Sequence, residues 1–120
     1  MKLKFALAAA VALVAVPAVA HHSFAMFDTT KEIELKDVTV KEWQWTSPHT
    51  WLFVTTASGQ KYTIEGGNPG LMRRQGFTKG SMAPNMKVTV YIAPLRNGQL
   101  GGAINAVILP GGKLLGERKK

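Results

Sequence analysis

The chain has no cysteine. No disulfide can staple it and no thiolate can attack a substrate or hold a metal, so the fold rests on apolar packing, and no lipid can be attached through a thiol. Acidic residues are scarce as well, seven Asp and Glu against fifteen Lys and Arg, for a formal charge of +8. That balance suits either attraction to anionic surfaces and polymers or plain solubility. No basic stripe runs through the body of the chain, which argues against nucleic acid as a partner. Much of the excess lies at the ends, in Lys2 and Lys4 and in Lys113, Arg118, Lys119 and Lys120. Long apolar runs are also missing after residue 16, so no later segment is expected to span a membrane.

The one unbroken apolar run, Phe5 to Val16, follows Lys2 and Lys4 and precedes Ala18-Val19-Ala20. A short positive region, an apolar stretch and small residues at an A-x-A site form the order of a secretion signal cleaved after Ala20. The run is shorter than the roughly 20 residues a membrane helix needs, and the polar His21-His22-Ser23 follows at once. The expectation is an exported bacterial protein, periplasmic or else secreted, with no membrane anchor after processing. Its mature part is 100 residues long and carries +6, the size of a single domain.

Residues 31–45 alternate apolar and polar side chains over an unusually long span, and the phase slips twice. Ile33 and Leu35 share one parity, Val38 and Val40 the other, and Trp43 and Trp45 return to the first. Each slip predicts a bulge, the device by which a strand curls around a barrel. Trp51-Leu52-Phe53-Val54 begins a second strand, and residues 61–65 form a third. Asn68, Pro69 and Gly76 mark the start and end of a helix of about two turns. Residues 87–93 place Val88, Val90 and Ile92 on one face of a fourth strand. A fifth follows the Asn97-Gly98 turn over residues 103–109, with Ile104, Ala106 and Ile108 expected inward. The predicted fold is all-β with one short helix: a five-stranded, OB-like, partly open barrel of order β-β-β-α-β-β. Its expected organisation is a signal peptide at 1–20, an N-terminal arm at 21–30, the barrel at 31–110 and a basic flexible tail at 111–120. An open roll or sandwich pairing the same strands differently is the alternative.

Four stretches, His21-His22-Ser23-Phe24-Ala25-Met26-Phe27-Asp28, Trp43-Gln44-Trp45-Thr46-Ser47-Pro48-His49, Glu65-Gly66-Gly67-Asn68-Pro69 and Arg73-Arg74-Gln75-Gly76-Phe77, resemble one family. It is a family of small exported bacterial proteins catalogued as a domain of unknown function, and the likeness runs from the signal peptide to about Pro110. The resemblance implies export and a shared fold, and it brings no activity.

Function must therefore come from the residues, and histidine is the most informative. All three histidines fall in the two most distinctive motifs. Cleavage after Ala20 makes His21 the amino terminus, where its α-amine and ring nitrogen can chelate one ion, with His49 or His22 as a third nitrogen. A planar nitrogen set suits Cu(II), the tightest-bound of the first-row divalent ions. The alternative is a loose arm bearing His21 and His22, with His49 bonded within its own loop and no cofactor at all. Residues 21–30 span at most about 35 Å when extended, so sequence leaves open whether the arm returns to His49.

Trp43, Trp45, Trp51 and Phe53 bracket the His49 loop and could form a stacking platform for a small ligand or a protein partner, or pack the core. Met26 and Met72 read as packing residues. Gly66-Gly67-Asn68-Pro69 beside Arg73 and Arg74 reads as a turn with two solvated cations, without phosphate-loop spacing. Ser47 and His49 have no orienting acid nearby in sequence, so an enzyme is not expected, copper redox chemistry excepted.

Overall fold

The computed structural model describes residues 24–120. Six strands, β1 (Ile33–Gln44), β2 (Trp51–Thr55), β3 (Lys61–Glu65), β4 (Lys87–Pro94), β5 (Gly101–Ile108) and β6 (Leu114–Gly116), follow a short 3-10 turn (Phe24–Met26), with one α-helix, α1 (Pro69–Arg74), between β3 and β4. They are hydrogen-bonded in the order β3-β2-β1-β4-β5-β6, and a parallel pairing of β3 with β5 closes the first five into a barrel. This is the predicted OB-like element order, with a sixth strand added.

β1 serves two neighbours because it bends where its apolar phase slips. Its first half pairs with β4, with an irregularity between Leu35 and Val38, and its second half pairs with β2, with another between Val40 and Glu42. The bends keep Leu35, Val38 and Val40 inside, facing Val90, Val88 and Val54. An unbroken two-residue period would have turned part of that set toward water. At the closure of the barrel, strands approach too closely for side chains. A Cβ on Gly101 would lie 2.6 Å from the Thr63 carbonyl oxygen, and one on Gly102 would lie 2.3 Å from that of Ala93. Gly101 is what lets β3 reach β5, and Gly102 lets β4 lie close on the other side.

α1 plugs one end of the barrel. The Asn68 side chain accepts the Leu71 amide at 2.9 Å, and Pro69 occupies the first turn, where no amide is needed. At the other end, Gly76 (φ +94°) donates to Arg73 and Phe77 to Met72, both at 3.0 Å. This paired reversal satisfies the last carbonyls and delivers Phe77, fully buried, into the core beside Met72.

Two expectations fail at the C-terminal end. β5 does not alternate evenly: Tyr91 faces Ala106 and Ile92 faces Ile104, so Asn105 is an extra residue. Past this bulge it is Val107 that joins the core cluster; Ala106 is fully buried, as expected, Ile104 packs against the cluster, and Ile108 is only partly buried. Nor is 111–120 a flexible tail outside a domain ending at residue 110. Gly111 and Gly112, both at positive φ, turn the chain back, and β6 pairs with β5 and buries Leu115. Arg118 then reaches Glu32 at 2.9 Å and stacks on Tyr91 at 3.9 Å. The arm is docked too: Phe27 is buried and bridges to Leu95, and the Asp28 amide donates to Pro94 at 2.7 Å. Among the described residues no helix is long and apolar enough to cross a membrane.

Candidate functional site

The loop from β1 to β2 is fastened to the turn that follows β3. Thr50, fully buried, donates both its amide (3.0 Å) and its hydroxyl (2.9 Å) to the Gly67 carbonyl, and its own carbonyl accepts the Gly66 amide at 2.8 Å. Thr46 adds a hydroxyl bond to the His49 carbonyl at 2.6 Å. Gly66 permits this contact, since a Cβ there would lie 2.2 Å from the Thr50 hydroxyl.

Fastening the loop sets His49 against the last residue of β3. His49 Nδ1 lies 3.2 Å from Glu65 Oε1 and 3.3 Å from the Gly66 carbonyl. Both neighbours are acceptors, so in the neutral ring the proton sits on Nδ1 and the lone pair on Nε2. The Glu65 side chain is only 8% exposed and that of His49 33%. An oriented imidazole backed by a sheltered carboxylate is the arrangement that commonly supports a metal-ligating or proton-handling histidine. Glu65 is therefore the orienting acid missing around His49 in sequence. It stands 16 residues away, and its only sequence signal is its place just before the Gly66-Gly67 pair.

The pair forms part of the wall of a cavity of about 270 Å³ between the barrel and α1, which Phe27, Leu71, Met72 and Ile104 complete. Glu65 and Phe27 are shared with a second cavity of about 230 Å³ lined also by Met26, Trp51, Leu95 and Leu100. The described part of the arm, through Phe27, thus lines the His49 cavity. Arg96 holds it there, donating its amide to Met26 and Nε to Ala25, each at 3.0 Å. His21 and His22 lie outside the described residues. Among the described residues no three His, Asp or Glu side chains gather as a metal site.

The four aromatics do not make one platform. Trp43 pairs with Leu52 and turns to the barrel end, where its Nε1 donates to the Thr78 carbonyl at 3.0 Å and its ring meets Phe77 and Trp45 at 5.9 and 5.8 Å. Arg73 covers Trp45 at 5.4 Å. Trp51 and Phe53, flanking buried Leu52, point to the opposite side. The bulge in β1 separates the pairs. Met72 is a core residue, as expected, whereas Met26 is 37% exposed.

With this geometry in place, comparison with known proteins gives one match: residues 9–105 fit DUF6152, described as a family of unknown function. The chain belongs to that family. No curated protein and no solved structure matches it. The DUF6152 match takes in the arm, the His49 loop, Glu65, α1 and most of β5, so the whole candidate site falls within it. β6 and the Arg118 contact lie beyond its end.

Proposed function

We propose that this chain is an exported binding protein that holds Cu(II) where its amino-terminal arm meets the His49 loop. The observation that supports the reading is the His49–Glu65 pair, a histidine whose Nδ1 lies 3.2 Å from a sheltered carboxylate. Glu65 acts behind the ligand, fixing the orientation of the ring. His21, once it is the amino terminus, supplies an α-amine and an imidazole, and His22 a further imidazole. From Phe27, which lines the His49 cavity, His21 is six residues back, a reach of at most about 20 Å. Nitrogen ligands in this number suit Cu(II). The reading is of binding and carriage: nothing in the pair calls for a nucleophile or a reaction. Because an α-amine of ordinary pKa near 8 must lose its proton to bind, affinity falls as pH drops below neutrality.

The test is a Cu(II) titration, against a competing chelator, of protein beginning at His21 and of a form with one additional residue before it. One-to-one binding that the extension weakens by about a hundredfold, or about 2.7 kcal/mol, is the expected result. Binding indifferent to the extension overturns the terminal site.

A further inference from the structure

Of the five methionines, Met1 belongs to the leader and four lie from His21 onward, in very different surroundings. Met72 and Met82 are core residues, 1% and 5% exposed, and Met86 is partly buried against the same core. Met26 is the exception, 37% exposed at the end of the 3-10 turn. Its side chain lines the cavity of about 230 Å³, in a wall made largely of Phe27, Trp51, Leu95 and Leu100. A small oxidant can reach such a side chain, whereas packing shields the other three.

Met26 also sits where the arm is fastened to the barrel. Its carbonyl accepts the Arg96 amide at 3.0 Å, and the Ala25 carbonyl accepts Arg96 Nε at 3.0 Å. On its other side Phe27 is 5% exposed, and the Asp28 amide donates to Pro94 at 2.7 Å. Segments held by so few contacts lie at the low end of local stability, so a small change in one contact alters how often they open. Oxidation turns the Met26 thioether into a polar sulfoxide. The oxygen it adds accepts hydrogen bonds, and so does the Glu65 carboxylate on the same wall. A polar group held against apolar surface without a matching donor disfavours the docked arm.

We propose that Met26 is the oxidation site of this chain and that its sulfoxide loosens the amino-terminal arm. Hydrogen peroxide is the oxidant: an S–O bond forms at the thioether, the O–O bond breaks and water leaves, the sulfur being oxidised and the peroxide reduced. The test treats the chain beginning at His21 with peroxide and maps its peptides by mass spectrometry. Met26 should be oxidised before Met86, and about tenfold or more faster than Met72 and Met82. Chymotrypsin cleavage after Phe27 reads the docking, because that bond is protected while Phe27 is buried and Asp28 is bonded to Pro94. Cleavage should quicken about fivefold on oxidation, equivalent to ~1 kcal/mol. Met26→Gln, polar and of similar length, should be cleaved faster without peroxide. Met26→Leu should be cleaved at the parent rate and ignore peroxide. Oxidation of Met86 first, a Met26 sulfoxide that leaves cleavage unchanged, or a peroxide effect that persists in Met26→Leu overturns the proposal. None of these readouts uses copper, so the outcome is separate from that of the metal reading.

Discussion

Replacing Gly66 by alanine tests how the His49 loop is fastened. The added Cβ would lie 2.2 Å from the Thr50 hydroxyl and 3.2 Å from the Met72 terminal methyl. Met72 is a flexible chain end and can shift, but Thr50 is fully buried and its hydroxyl is committed to Gly67. Turning that hydroxyl away leaves a buried polar group without its bond, at about 1–3 kcal/mol. Crowding a packed core adds about 1–3 kcal/mol. The lower chain entropy of alanine in the unfolded state returns about 0.4–1 kcal/mol. A net loss of about 1–5 kcal/mol remains. With a urea m-value of about 1 kcal/mol/M for a domain of this size, the unfolding midpoint should fall by about 1–5 M with m unchanged. Serine at position 50 would keep the hydroxyl, and combined with Gly66→Ala it should recover little of the loss. A midpoint within about 0.3 M of the parent would refute the claim that Gly66 is required by this contact.

Other expectations follow from the same geometry. Leu115→Ala, in the strand that replaces the expected free tail, should cost about 2–5 kcal/mol by denaturant melting; a change under 0.5 kcal/mol would mean β6 contributes no core. At Glu32, burial would raise the carboxyl, but bonds from the Lys119 amide, Asn105 and Arg118 outweigh it and hold the pKa below the ordinary 4.5. A depressed folded value means the contribution is complete above 4.5 and is lost as pH falls through the folded value. Wild type should thus exceed Glu32→Gln by about 1–2 kcal/mol at pH 7, allowing for the half-exposed Arg118, and the gap should narrow in acid melts as pH falls below 4.5. Glu65→Gln should weaken Cu(II) about 10- to 100-fold in a competition titration, since Glu65 supports His49; an unchanged affinity would remove Glu65 from the site.

What could be read along the chain was whatever neighbours in sequence decide. The phase slips in β1 announced its bulges, because burial on one face forces any change of parity to be absorbed locally. Asn68, Pro69 and Gly76 announced α1, because capping is a local exchange of hydrogen bonds. Asn105 gave no such notice: either parity of β5 offers apolar residues, and only pairing with β4 selects Val107. Leu114-Leu115 after Gly111-Gly112 was a legible hairpin signal hidden by the charge around it. The aromatics misled for a related reason, since facing depends on register with a bulged partner, which put Trp43 and Trp51 on opposite sides. Glu65 was the costliest omission. Its meeting with His49 depends on Thr50 bonding to Gly66 and Gly67, a contact between strand ends that no local pattern encodes.

The central claim is that His49, held by Glu65, joins the amino-terminal histidine on one ion. Pulsed electron paramagnetic resonance of the Cu(II)-loaded chain beginning at His21 counts the imidazoles bound at the metal. The account predicts at least two in the parent and one fewer in His49→Gln. An unchanged count in that variant, with the copper signal otherwise the same, would contradict it.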